Sequence, residues 1–172
     1  MLCKICEKIE KEKELKIYED NEVAAFLEEK PAVPGQITLL PKKHFPILEQ
    51  LTDKLIGHIL VISNKLSSAL FDSIGCHGTN ILINNGVAAG QKHSHFSLNI
   101  VPRTENDNID LEWQPKQLSE EEISTTELRL KEHTASVGII EEEKEKPIEI
   151  EKKSDSIKGK NNYLLKHLRR PA

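Results

Sequence analysis

Residues 84 to 103 constrain this chain more than any other stretch: N-N-G-V-A-A-G-Q-K-H-S-H-F-S-L-N-I-V-P-R. A loop of small residues (Gly86, Ala88, Ala89, Gly90) leads into an alternating run. His93, His95, Ser97 and Asn99 share one parity, and Phe96, Leu98 and Ile100 share the other. A strand has a side-chain period of two, so the polar set is expected on one face and the apolar set on the opposite face. Pro102, which cannot donate to a ladder, is expected to end the strand. A row of polar, metal-capable side chains beside a glycine loop has the form of an active site at a strand end.

The flanking segments supply the rest of a small α+β domain. Residues 17–20 and 23–27 are expected as two strands around an Asp20-Asn21 turn, and residues 36–40 as a third closed by Pro41. Two prolines and a glycine make residues 28–35 a loop. Thr52 is expected to cap a helix to about Phe71, whose face is Leu55, Ile59, Ile62, Leu66, Ala69 and Leu70. Residues 75–78 form a turn, and residues 80–83 begin another strand. The charged segment Glu7 to Lys16 is expected as a knuckle and a solvated turn or edge. This order, joined by tight turns, predicts an antiparallel sheet with a helix packed against it.

Beyond Arg103 the composition changes. Residues 104–110 are polar and turn-rich, and the single tryptophan is Trp113. Ser119-x-x-Glu122 is a capping box that opens a helix expected to reach Val137. Residues 141–153 are a charge-rich linker, and Lys158 to Arg170 form a basic tail without acidic residues, expected to be flexible. Three segments follow: 1–104, 105–140 and 141–172. The net charge of −4 is too mild for nucleic-acid binding by the whole chain. No apolar run reaches the roughly 18 residues of a membrane span, and the N-terminus lacks a signal-peptide core. A cytoplasmic protein without membrane contact is expected.

Three cysteines, two of them as Cys3-x-x-Cys6, do not make a disulfide framework. In a reducing compartment the pair points to metal or redox chemistry. Structural zinc takes four cysteine and histidine ligands. Cys3 and Cys6 supply two; His44 past the third strand and His95 are candidates for the others, with His93 an alternative fourth. His58, His77, His133 and His167 are expected on the surface or on helices, and Cys76 as a small buried residue.

These residues resemble the histidine triad (HIT) family of nucleotide-binding hydrolases and transferases. The family signature is His-x-His-x-His and two apolar residues, after Gly-Gln and before Pro-Arg. Here Gly90-Gln91 and Pro102-Arg103 frame the run. Cys3-x-x-Cys6, Tyr18-Glu-Asp, Val23-Ala-Ala-Phe-Leu, Gly35-Gln-Ile-Thr-Leu-Leu-Pro-Lys-Lys-His44 and Asn84-Asn-Gly86 resemble its zinc-containing branch. The resemblance implies a HIT-like fold over about residues 1–103, a two-fold homodimer, and zinc held by Cys3, Cys6, His44 and His95. It also implies nucleotide contacts at Glu28 (ribose), at Asn84 and Gln91 (phosphate), at Lys92, which replaces a small hydroxyl residue, and at Ser97 and Asn99.

The triad departs from the family. In register its positions are His95, Ser97 and Asn99. The family nucleophile is the middle histidine, which forms a nucleotidyl-imidazole intermediate. Serine is a weak nucleophile without an adjacent base, and its phosphodiester is a poor substrate for hydrolysis. The expectation is a zinc-stabilised module that binds a nucleotide or a partner without family turnover. Two rivals are an active hydrolase or transferase acting through Ser97 or His93, and a factor docking RNA or a ribonucleoprotein through Lys158 to Arg170.

Overall fold

The computed structural model describes residues 3–135 and Val137. In chain order the elements are α1 (Lys4–Lys11), β1 (Lys16–Glu19), β2 (Val23–Leu27), β3 (Ile37–Pro41), α2 (Asp53–Ile74), β4 (Gly78–Ile83), β5 (Leu98–Arg103) and α3 (Glu120–Thr134). The strands form one antiparallel sheet in the order β1-β2-β3-β5-β4, the α+β arrangement expected. The chain divides into two compact units, Met1–Trp113 and Gln114–Ala172. The linker 141–153 and the basic tail from Lys158 to Arg170, with His167, lie outside the described residues.

Strand alternation splits the apolar residues between two faces. Val23 and Ala25 of β2, Ile37 and Leu39 of β3, and Leu98 and Ile100 of β5 pack with Leu55, Ile59, Ile62 and Leu70 of α2. Ala24, Phe26 and Leu40 point the other way, against Ile9 and the half-buried Ile5 of α1. β2 is therefore buried from Val23 through Phe26. That is why it reads as a continuous apolar run rather than an alternating one. Burying each such large side chain contributes about 1.5–3 kcal/mol.

The helix α2 begins where its cap predicts: the Thr52 hydroxyl accepts the Leu55 N–H. It runs past Phe71 to Ile74, and Gly75 ends it in the left-handed region, at φ 64°. Ala69 is exposed, whereas Ser63 and Ser67 are buried in the helix face. Their hydroxyls are satisfied, Ser63 by the Leu60 carbonyl and Ser67 by Thr79 of β4. Two small polar residues thus occupy places that an apolar pattern could not assign.

Three expectations need correction. Glu7 to Lys11 is not a solvated turn but most of α1. Ile5 and Ile9, four residues apart, give this short helix one apolar face, and Lys16 Nζ donates to the Ile9 carbonyl at 3.0 Å. The central strand starts at Leu98, not at the first histidine. Residues 93–95 bend, and the Phe96 N–H donates to the Phe45 carbonyl at 2.6 Å, so adjacent His95 and Phe96 are both buried. Finally, Pro102 lies inside β5, opposite Thr79. Arg103 uses its carbonyl on the His77 N–H at the β4 side. By alternation Pro102 faces the β3 side, beyond the last β3–β5 pair (Ile37 and Ile100), where no ladder donor is needed.

In the second unit, both hydrogen bonds of the Ser119–Glu122 capping box are present and α3 ends at Thr134. None of its residues is buried. Among the described residues no helix is long and apolar enough to cross a membrane.

The β1–β2 turn is tied by Asp20. Its carboxylate accepts the N–H groups of Glu22 and Val23, the Tyr18 hydroxyl and His58 Nε2, all within 2.7–2.8 Å. Burial pulls its pKa upward, but these donors outweigh burial and hold the carboxyl well below its ordinary range. A depressed carboxyl contributes stability that is full above the unfolded value near 3.8 and lost as pH falls through the folded one. Asp20→Asn is expected to unfold at lower denaturant than the parent at pH 6, with the gap closing below about pH 4. A gap constant from pH 6 to pH 3 would contradict the assignment.

Candidate functional site

Two neighbouring features occupy the face of the sheet that α2 leaves free. The first is a group of four metal-capable side chains. Cys3 and Cys6 come from the start of α1, His44 follows β3, and His95 precedes β5. Their ligand atoms all lie within 4.8 Å of one another. His95 Nδ1 is 3.7 Å from Cys3 Sγ and 3.6 Å from Cys6 Sγ, and His44 Nδ1 is 3.5 Å from Cys6 Sγ. A tetrahedral centre with bonds of 2.0–2.3 Å has ligand–ligand edges of about 3.3–3.8 Å, so the group suits one ion of that kind.

His95 is 1% exposed, and its Nε2 lies 2.9 Å from the Pro41 carbonyl. A carbonyl can only accept, so Nε2 carries the proton and Nδ1 presents a lone pair to the cysteines. An imidazole that ligates a metal is usually held by such a bond at its other nitrogen. Burial also holds the His95 pKa below its ordinary value, which keeps the ring neutral. Burial, and then Cys3, push the Cys6 thiol up; a cation among the four atoms reverses that effect and favours thiolates. His93, the alternative ligand, is outside this group.

The second feature is a cleft of about 550 Å³. Its floor is a cross-strand row, Phe26–Thr38–Asn99–Leu82, each residue registered opposite the next on β2, β3, β5 and β4. Leu40 and Val101 extend the floor, and Ile5 lines the α1 side. Glu28, Asn84, Gln91, Lys92, Ser97 and Asn99 all line the same cleft. So do three lysines that sequence reasoning missed: Lys4 and Lys8 on α1, and Lys30 in the β2–β3 loop. With Lys92 they set four cations against the carboxylate of Glu28. Nothing in a charged N-terminal segment signals that α1 will carry its lysines over a sheet.

Thr38 was missed as well, being an ordinary strand residue by sequence. Its hydroxyl lies 3.0 Å from Glu28 Oε2 and 3.1 Å from the Asn99 side-chain amide. One hydroxyl proton cannot serve two acceptors. Both facing atoms are oxygens, Glu28 Oε2 and Asn99 Oδ1, so the single Thr38 proton is donated to one of them at a time.

Gln91 lines the cleft, but its side chain is spent on the loop. Its amide donates to the carbonyls of Pro46 at 2.6 Å and His93 at 2.8 Å, and its oxygen accepts the Gly86 N–H at 2.8 Å. This geometry makes Gln91 a loop staple, with no donor left for a phosphate. Asn84 is freer, with one long bond of 3.4 Å to the Gly90 carbonyl. The Ser97 hydroxyl has no protein partner among the described residues. Both nitrogens of His95 are engaged, so that ring cannot serve Ser97 as a base. A site of this kind can hold an anionic ligand with an apolar moiety. It offers no free imidazole at the middle triad position.

The HIT domain family profile matches residues 10–106. The chain is 36% identical over 110 residues to an uncharacterized HIT-like protein of Borreliella burgdorferi, covering 62% of this chain and 79% of that one. It is 34% identical over 93 residues to adenylylsulfatase HINT3 of Arabidopsis thaliana, covering 54% of this chain and 47% of the relative's length. It is 27% identical over 114 residues to bis(5'-adenosyl)-triphosphatase of Dictyostelium discoideum, covering 61% of this chain and 76% of that one. Among solved structures, a HIT family member from Bacillus subtilis superposes with a TM-score of 0.70 at 27% identity, covering 79% of this chain and 99% of that one. A Zn-bound histidine triad family protein from Mycobacterium smegmatis superposes with a TM-score of 0.60 at 26% identity, covering 66% and 84%. With the profile spanning more than half of the sequence, and the fold and cleft described above, the chain belongs to the HIT domain family.

Proposed function

We propose that this protein is a zinc-stabilised nucleotide-binding HIT module that has lost the family's nucleotidyl-transfer chemistry. The observation that carries the reading is the state of the triad positions. His95 has one ring nitrogen on the Pro41 carbonyl and the other toward two cysteines. Among the described residues no base is hydrogen-bonded to Ser97, although His93 lines the same cleft, and Asn99 is tied to Thr38. An imidazole serves as both nucleophile and leaving group; an unassisted hydroxyl does neither well near neutral pH. The cleft itself is suited to a nucleotide, with an apolar floor, a carboxylate at Glu28 for ribose hydroxyls, and lysines for phosphate. Relatives named for adenylylsulfate and bis(adenosyl) triphosphate hydrolysis support an adenine nucleotide as the ligand.

Zinc fits the four-residue group by donor type, spacing and the orientation of His95, and a Zn-bound relative shares the fold. All four positions are protein ligands, so the ion's contribution is structural: it fastens α1 to the ends of β3 and β5. Purified protein is expected to carry one zinc per chain by elemental analysis. Cys3→Ser should lose that zinc and melt lower, because an unfastened α1 no longer covers Phe26. Retention of a full equivalent by Cys3→Ser would refute the site.

Adenosine monophosphate should bind in calorimetry, and Glu28→Ala should weaken it by roughly tenfold through loss of charged hydrogen bonds. Adenosine phosphoramidate and diadenosine polyphosphates should not turn over above background. Robust turnover abolished by Ser97→Ala would overturn the non-catalytic reading.

The reading includes a homodimer. β4 is an edge strand, and its Ile81 is 43% exposed. Ser67 of α2 bonds Thr79 of β4. Leu60, Phe71 and Ile74 lie one or two turns from Ser67 on the same helix face and are also exposed. An unpaired edge flanked by apolar surface suits two-fold pairing with a second copy. Light scattering should give twice the chain mass, and Ile81→Lys should give a folded monomer. A monomeric parent protein would exclude the arrangement.

A further inference from the structure

The cations of the cleft are not gathered in one place. Lys92 follows the glycine loop, near Asn84, whose amide reaches the Gly90 carbonyl. Lys4 and Lys8 are four residues apart on α1 and so share one of its faces. Lys30 lies in the loop between β2 and β3. Lys8 joins helix to loop: its Nζ is 3.4 Å from Glu29 Oε1 and 5.5 Å from the centre of the Phe26 ring. Three of the four lysines thus belong to the β2 end of the floor, where Glu28 also lies.

The loop that carries Lys30 is braced. The Glu28 N–H donates to the Gln36 carbonyl at 2.9 Å, and the Gln36 side-chain oxygen accepts the Ala32 N–H at 2.8 Å. Gly35 closes the loop at φ 88°, where a Cβ would come within 2.7 Å of Ile74 Cδ1. Glu28 places Oε2 3.0 Å from the Thr38 hydroxyl, and among the described residues nothing donates to its Oε1. Lys4 and Lys30 form no ion pair among the described residues. The Lys8–Glu29 pair is of the weak surface kind, with the Glu29 side chain 57% exposed. A carboxylate can only accept, so a ligand must bring a donor to Glu28; ammonium groups can only donate, so it must bring an anion to the lysines. A hydroxyl and an anionic group side by side on one ligand satisfy both.

We infer that this end of the cleft takes a second phosphate, carried on the ribose beside a free ribose hydroxyl, and that Lys8 and Lys30 are the residues that select it. The inference rests on the nucleotide-binding reading, with the 5' phosphate toward Lys92 and Asn84. Thr38 sets the scale. Its hydroxyl oxygen is the one atom between Glu28 Oε2, at 3.0 Å, and Asn99 Oδ1, at 3.1 Å. A ribose spans such a gap, since its 5' carbon and its 2' and 3' positions lie on opposite sides of one five-membered ring. A chain of phosphates on the 5' carbon runs toward Lys92 instead, away from Lys8 and Lys30.

The test compares ADP with adenosine 3',5'-bisphosphate and adenosine 2',5'-bisphosphate by calorimetry, with AMP as the reference. The three diphosphorylated ligands are isomers, so only the placement of one phosphate differs. The parent protein should bind one of the bisphosphates roughly tenfold more tightly than ADP, the effect of one charge-assisted contact. Which bisphosphate is preferred identifies the ribose hydroxyl that Glu28 holds. The double variant Lys8→Gln, Lys30→Gln should bring the ratio to ADP near one. Lys92→Gln should weaken ADP at least as much as the bisphosphate, so that the preference persists. A general loss of structure would weaken all the ligands together and leave the ratio standing. Binding of AMP with no preference for either bisphosphate over ADP overturns the second phosphate position while the nucleotide reading stands. A preference that survives in the double variant reports net charge alone and overturns it equally. If the parent binds none of the four ligands, both readings fall.

Discussion

His95 holds the architecture of the site together. One ring nitrogen donates to the last carbonyl of β3, and the other faces two cysteines at the start of α1. The ring is buried at the point where the chain turns into β5. Three segments far apart in sequence thus meet on one imidazole. Because α1 is fastened there, Ile5 and Ile9 cover Ala24, Phe26 and Leu40, and Lys4 and Lys8 reach the rim of the cleft. The helix that carries the two cysteines thereby gives the cleft one of its walls.

The same commitment limits the chemistry. An imidazole with both nitrogens engaged is unavailable as a base, and the next residues on this face are a hydroxyl and an amide. Glu28, Thr38 and Asn99 are bound into one hydrogen-bonded line. Such a line orients a ligand well and supplies no nucleophile. The cleft combines an apolar floor, a carboxylate and cations, and the position two residues after His95 is a serine.

The sequence carried much of this. The strands, the capped helix α2, the Ser119–Glu122 box and the Cys3–Cys6 pair follow from local signals: period-two runs, an N-cap threonine and cysteine spacing; His44 and His95 were singled out from other histidines by the family resemblance. Where local signals were weak, tertiary contacts decided. α1 has two apolar residues among charges, so its helicity was invisible until its packing partners on the sheet were known. The histidine run looked like strand because its residues alternate in polarity. The bend at residues 93–95 exists because His95 is drawn to Pro41 and Phe96 to Phe45. Gln91 sits in a loop that suggests phosphate binding, and only its three hydrogen bonds show that it closes the loop instead.

By itself the sequence determined which groups exist: four metal-capable thiol and imidazole side chains, a serine and an asparagine in the run after His95, and an apolar pattern that makes a single sheet. Those are properties of residue identity and short-range periodicity. The tertiary structure decided which groups face one another. It brought α1 lysines to the cleft and aligned Phe26, Thr38, Asn99 and Leu82 across four strands. Such relations depend on strand register and on packing between segments tens of residues apart. The energy that fixes them comes from burial and hydrogen bonding in the assembled fold, which no local stretch of sequence contains.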